Sequence, residues 1–138
     1  MIRISLGSIA IALSIAALAA QQPKVVSYYI STGKPDTAFR SSDRQLAAWA
    51  LDAWARNSGG DLQFKEVAEK QADIRVYWAE GDAGQYGEMR RTLVDGHPVA
   101  EVYVRPDTTF LGPDIDELAT HDPLFRDTVV YLTCLHEL

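Results

Sequence analysis

The apolar positions of the chain change period several times along its length, and each change marks an element. Val25 to Thr32, "VVSYYIST", is β-branched and aromatic and is closed by the turn residues "GKPD", which predicts a first strand. From Ser42 the period lengthens to that of a helix. Leu46, Trp49, Ala50, Ala53 and Trp54 recur at helical spacing, Arg44, Gln45, Asp52 and Arg56 take the other face, and Asn57-Ser58-Gly59-Gly60 ends the run. Ser42 followed by Gln45 fits a capping box at the start of this helix. The period then falls to two. Leu62 and Phe64 alternate with Gln63 and Lys65, and Ile74, Val76 and Trp78 alternate with Asp73, Arg75 and Tyr77, which predicts two strands that each bury one face.

Asp95-Gly96 between two β-type runs is a strong hairpin signal, so "TLVDGHPVAEVYV" reads as two paired strands. Pro98 suggests that the second arm begins late or lies at a sheet edge, since proline cannot donate to a ladder. Residues 106–122 are rich in Pro, Gly and Asp and read as a long loop. Asp122-Pro123 then opens a helix, with the acid at the cap and proline in the first turn. Phe125, Val129, Leu132 and His136 share one face of it, while Val130, Tyr131, Cys134 and Leu138 cover much of the rest, the pattern of a buried helix. The predicted order is β, α, β, β, hairpin, loop, α: an α+β unit with no internal repeat and no dividing linker.

Composition changes this picture at one end. Residues 1–20, "MIRISLGSIAIALSIAALAA", combine Arg3, an apolar run from Ile4 to Leu18 and the A-x-A site Ala17-Leu18-Ala19, the pattern of a secretory signal peptide cut after Ala19 or Ala20. An uncleaved anchor would need about 20 apolar residues. Residues 21–138 are then one exported domain, secreted or periplasmic, with no stable membrane association after cleavage. Loss of Arg3 with that segment moves the formal charge from −6 to −7. An acidic domain without a basic cluster is a poor partner for a phosphate backbone, so nucleic acid is not expected. The single cysteine, Cys134, excludes an internal disulfide and leaves the fold to its core, a metal, or both.

The candidate chemistry sits in "YLTCLHEL", residues 131–138. A neutral imidazole is a good zinc ligand, and a carboxylate one residue later on a helix projects about 100° away, near enough to poise a metal-bound water without binding the metal. In H-E-x-x-H the second histidine returns to the face of the first one turn later. His136 and Glu137 match the first two letters of that pattern, and Leu138 the next position.

With these residues in view, the chain resembles the N-terminal part of a metzincin, most similar to matrixin-like zinc metallopeptidases. "LQFKEV" and "ADIRVYWAEGD" resemble the second and third strands of that family, and "AEVYVRPD" the strand that edges its substrate cleft. "DTVVYLTCLHEL" resembles the active-site helix that runs into H-E-x-x-H-x-x-G-x-x-H. The likeness extends from about Val25 to Leu138. It implies a zincin-like fold, a twisted mixed sheet of about four to five strands packed on two helices, the second carrying the His-Glu pair. It further implies Zn2+ as cofactor, His136 as its first ligand and Glu137 as the general base, with a peptide or protein as substrate. The remaining histidines, the glycine between them and the methionine turn have no counterpart in these 138 residues, so the sequence is expected to be part of a longer endopeptidase and inactive as it stands. No cysteine-bearing pro-segment lies between the signal segment and the first strand. The apolar residues Val129, Leu132 and Leu135 are expected to need a cover that a further subdomain would provide.

Other candidates weigh less. His121 lies fifteen residues before His136, roughly 20 Å along a regular helix, too far to share a metal. His97 sits at the hairpin tip, where a solvated turn residue is the ordinary reading. Cys134 and His136 are about 200° apart on a helix and cannot form a nucleophile–base pair. Asp107, Asp114, Asp116 and Glu117 could hold calcium but do not follow the D-x-[DN]-x-[DN]-G pattern, and a solvated acidic loop accounts for them. The strand "VAEVYV", with Val102 and Val104, is expected to offer an open edge to which a peptide substrate adds as an extra strand. The reading of another class is a small exported α/β binding or interaction domain with an incidental terminal His-Glu.

Overall fold

The computed structural model describes residues 22–80 and 85–138, so the signal-peptide reading of residues 1–20 lies outside the described residues. The described chain is α+β, with five strands in one mixed sheet and three helices. The strands are β1 (Lys24–Ile30), β2 (Leu62–Glu66), β3 (Ile74–Trp78), β4 (Gly87–Val94) and β5 (His97–Val104), in the order β2-β1-β3-β5-β4. β1 pairs in parallel with β2 and β3, and β3 in parallel with β5, while β4 runs antiparallel to β5. The helices are α1 (Asp43–Asn57), α2 (Pro113–His121) and α3 (Pro123–Glu137). No helix among the described residues is long and apolar enough to cross a membrane.

The core forms where one face of the sheet meets α1 and α3. Ile30, Val76, Trp78, Val102 and Val104 point from the strands into Leu46, Ala47, Ala50 and Leu51 of α1 and Val130 and Cys134 of α3. Burial of such side chains stabilises by about 25 cal/mol for each Å² of apolar surface removed from water. The alanines at 47 and 50 bring the α1 backbone close to the sheet, which shifts its buried stripe. Leu46 and Ala50 are inside as expected, but Trp49 and Trp54 are largely exposed. The capping box also does not form. Ser42 takes a helical rather than extended backbone conformation and makes no side-chain cap. Instead Asp43 accepts from the Arg40 backbone N–H at 2.8 Å and closes the turn that leads into the helix.

Three other expectations change. The stretch read as a loop contains a 3-10 turn (Thr108–Leu111) and α2, so three helices accompany the sheet rather than two. Gly112 at φ 101 and Pro113 in the first turn start α2, and Asp114 and Asp116 lie where the positive end of the helix dipole favours acids. α3 is not buried all round: Arg126, Val130 and Cys134 form its inner stripe, Leu132 is 53% exposed, and Val129 and Leu135 are half-buried.

Pro98 marks neither a late start nor an edge. β5 begins at His97 and lies between β3 and β4. In the hairpin, Val94 pairs with His97 and Arg105 N–H donates to Tyr86 O at 2.9 Å. The even-numbered residues of β4 therefore exchange hydrogen bonds with β5, and Pro98, opposite Leu93, is a non-bonded position whose missing donor would point toward β3. Pairing with β3 begins only at Ala100, whose N–H reaches Asp73 O at 2.8 Å, so the proline costs no ladder bond.

Candidate functional site

The end of α3 is held in place by its beginning. The Asp122 carboxylate caps the helix, accepting from Leu124 N–H at 2.9 Å and Phe125 N–H at 3.3 Å, and Pro123 supplies the preset first turn. One turn on, Arg126 is buried and paired with Asp43 of α1. Its Nη1 contacts Asp43 Oδ1, its Nη2 donates to Asp43 Oδ2 at 2.9 Å, and Nη2 also reaches Ala38 O at 3.2 Å. Val130 and Cys134 then pin the helix to the sheet. In the last turn, Trp54 of α1 donates its indole N–H to the Leu135 carbonyl at 3.1 Å.

This anchoring sets the directions of the two predicted site residues. With Cys134 inside, His136 leaves the opposite side of the helix and is exposed. Glu137 is half-buried and lies over the start of β4. The approach is close: a Cβ on Gly87 would stand 2.6 Å from Glu137 Cγ, 2.9 Å from Glu137 Oε1 and 2.7 Å from Thr133 Cγ2. Only glycine lets the strand pass under the helix at this point. The Thr133 hydroxyl bonds back to the Val129 carbonyl at 2.9 Å, which leaves its methyl toward the strand. A cleft of about 430 Å³ opens here, lined by Gln85, Tyr86 and Gly87 on one side and Val129, Leu132, His136 and Glu137 on the other.

Tyr86 lines the cleft and lies within electrostatic reach of the buried pair. Its hydroxyl is buried without a hydrogen-bond partner among the described residues. Burial pushes its pKa well above the ordinary tyrosine value, with Arg126 opposing and Asp43 adding to the shift. The phenol is therefore neutral at any physiological pH. Cys134 is also fully buried, and burial pushes its thiol up to about 12, so it behaves as a small apolar core residue.

The other sequence candidates do not join this cleft. His97 lies at the hairpin turn beside Arg75 and Lys70. The His121 ring is engaged with the Glu117 carbonyl at 2.8 Å at the end of α2. Asp107 accepts from Thr109 N–H at 3.0 Å and Asp116 from the Thr108 hydroxyl at 2.9 Å, local uses that stabilise the 3-10 turn and the start of α2. The open edge assigned to Val102 and Val104 is a correction. β5 is paired on both sides, and these valines are 1% and 0% exposed, part of the core. The free edge beside the cleft belongs to β4, whose unpaired backbone groups run outward from Gly87 through Met89, Arg91 and Leu93.

His136 offers one accessible imidazole, but no group of three His, Cys, Asp or Glu side chains able to hold a metal ion occurs among the described residues. The residues described do not by themselves make the three-ligand cradle of a catalytic zinc site. No family model, characterised protein or solved structure matches the chain.

Proposed function

We propose that this chain contributes the sheet, the upper cleft and the first two site residues of an exported, metzincin-like zinc endopeptidase. His136 is its first metal ligand and Glu137 its general base, and the remaining ligands come from outside these 138 residues. The observation that carries the reading is the single cleft that His136 and Glu137 share with the start of the free edge strand. A zinc ion, when bound, would supply the Lewis acid that such a site needs. What this chain's own residues do follows from their placement. His136 presents an unobstructed imidazole, Glu137 is held over Gly87 where it can take a proton, and β4 offers main-chain hydrogen bonds to an extended peptide.

The acidic charge and single cysteine are compatible with export. A small exported α/β binding domain is the second reading, favoured by the lone imidazole among the described residues near the cleft. The full-length gene product separates the two. On the peptidase reading it purifies with one equivalent of zinc, His136→Ala loses the metal, and Glu137→Gln keeps it while peptide hydrolysis falls by about 10²–10⁴-fold. A full-length protein without zinc, or one in which Glu137→Gln hydrolyses peptides at the wild-type rate, would rule the peptidase out.

A further inference from the structure

The sheet face turned away from α1 and α3 carries a buried cation without a partner. Arg75, in the middle of β3, stands between Tyr29 of β1 and Glu101 of β5. It is 8% exposed, yet its guanidinium makes no hydrogen bond or ion pair with any described residue, and its Nε is fully enclosed. Its Nε has lost hydration without gaining an acceptor, which is costly unless something completes the site. The nearby acids are turned to other donors. Glu101 Oε2 accepts from the Tyr103 hydroxyl at 3.1 Å, and Asp73 Oδ2 accepts from the Ser27 hydroxyl at 2.6 Å and its N–H at 3.0 Å.

Arg75 lines a cleft of about 340 Å³ at the end of the sheet opposite the His-Glu pair, and two further donor-bearing residues line it too. Lys70, in the 3-10 turn (Glu69–Gln71) before β3, makes no ion pair with a described residue, and His97 stands at the hairpin turn. Val94, Val99 and Pro98 form apolar walls, and Asp73 and Asp95 also line the cleft. Opposite Val99 on β4, the Thr92 hydroxyl is a second buried polar group without a partner. An arginine, a lysine and a histidine lining one cleft with partly apolar walls suit a small anion bearing several oxygens.

We propose that this cleft is an oxyanion site for a phosphate or sulfate group, with Arg75 as its principal donor and Lys70 and His97 as supporting donors. The site is independent of the peptidase reading. It is tested on the purified full-length chain by calorimetric titration and thermal shift with sodium phosphate and sodium sulfate, against chloride at constant ionic strength. Saturable binding and a rise in Tm with phosphate are expected, since a ligand that binds only the folded state stabilises it. Lys70→Gln should weaken binding at least threefold, Arg75→Met should abolish it, and Asp95→Asn should tighten it by removing a like charge from the rim. Methyl phosphate binding comparably to inorganic phosphate would point to an esterified group, and its exclusion to the free anion; either supports the site. If Arg75→Met fails to fold, the Lys70 and Asp95 variants still decide. Absence of saturable phosphate and sulfate binding in the wild type, or binding unchanged by Lys70→Gln and Asp95→Asn alike, overturns the proposal. So does failure of anion binding together with a Glu101→Gln variant as unstable as Arg75→Met, which would make Glu101 the true partner.

Discussion

Gly87 shows how a residue without a side chain can determine the position of one that carries charge. Its missing Cβ is the space into which Glu137 Cγ and the Thr133 methyl fit, and an alanine there would overlap both within 3 Å. Thr133 cannot yield freely, because it is on a helix pinned by buried Val130 and Cys134, whereas Glu137 has a flexible stem. Relief must come mainly from rotation of Glu137 away from β4 and a small lift of the last helical turn. On the proposed peptidase reading, Gly87→Ala is therefore expected to lower kcat of the full-length protein by tenfold or more. On the same reading zinc content should hold, since His136 projects about 100° from Glu137 and is not among the atoms that a Cβ at Gly87 would meet. A variant with wild-type kcat would show that Glu137 is not required over β4. Sequence reasoning passed over this glycine because nothing local distinguishes it: it is neither in a turn nor at positive φ, and its constraint comes from a helix fifty residues further on. Arg75 and Arg126 were missed for a related reason. Period-two and period-3.6 patterns assign charged residues to solvent, whereas both arginines are buried.

At the level of elements, the patterns that repeat were legible and the compensations between elements were not. Alternation in β3 put Ile74, Val76 and Trp78 on one face, and the Asp95-Gly96 hairpin has both central residues at positive φ, as its turn type requires. The Asp122 cap and Pro123 start α3 as expected. Strand order was not legible, because it depends on which strand finds which partner across long connections. β5, read as an edge, is an inner strand, and the edge is β4. That exchange relocates the substrate expectation and makes it testable. Met89 sits at a non-bonded position opposite Val102, so its N–H points outward rather than into the ladder. Met89→Pro should remove one outward donor while leaving the β4–β5 ladder intact. On the peptidase reading it is expected to raise KM for extended peptides about three- to tenfold, equivalent to one hydrogen bond of roughly 1 kcal/mol. An unchanged KM would remove β4 from substrate binding.

For the molecule as a whole, the absence of any possible internal disulfide makes the Asp43–Arg126 pair the strongest candidate for a long-range tie. It joins residues 83 positions apart and links the starts of the two helices that cover the sheet. Asp43 is fully buried and Arg126 nearly so, and both are well satisfied: the carboxylate also accepts from Arg40 N–H, and the guanidinium also reaches Ala38 O. The net worth of such a pair against apolar residues is small, because desolvation offsets most of the attraction. Removing one partner is different, since it leaves the other charge buried alone. Arg126→Met is expected to cost about 3–5 kcal/mol, and to lower Tm by on the order of 10–20 °C. In Asp43→Asn/Arg126→Met no charge is stranded, so the loss should be clearly less than the sum of the single losses. Denaturant melts of the four proteins measure this coupling directly. Strict additivity would show that the two charges do not act as a pair, and that α1 and α3 are held together by Leu46, Ala50, Val130 and Cys134 alone. Tyr86, which lines the His136–Glu137 cleft, feels the charges of both partners, so Arg126→Met should also shift the electrostatics at the start of β4.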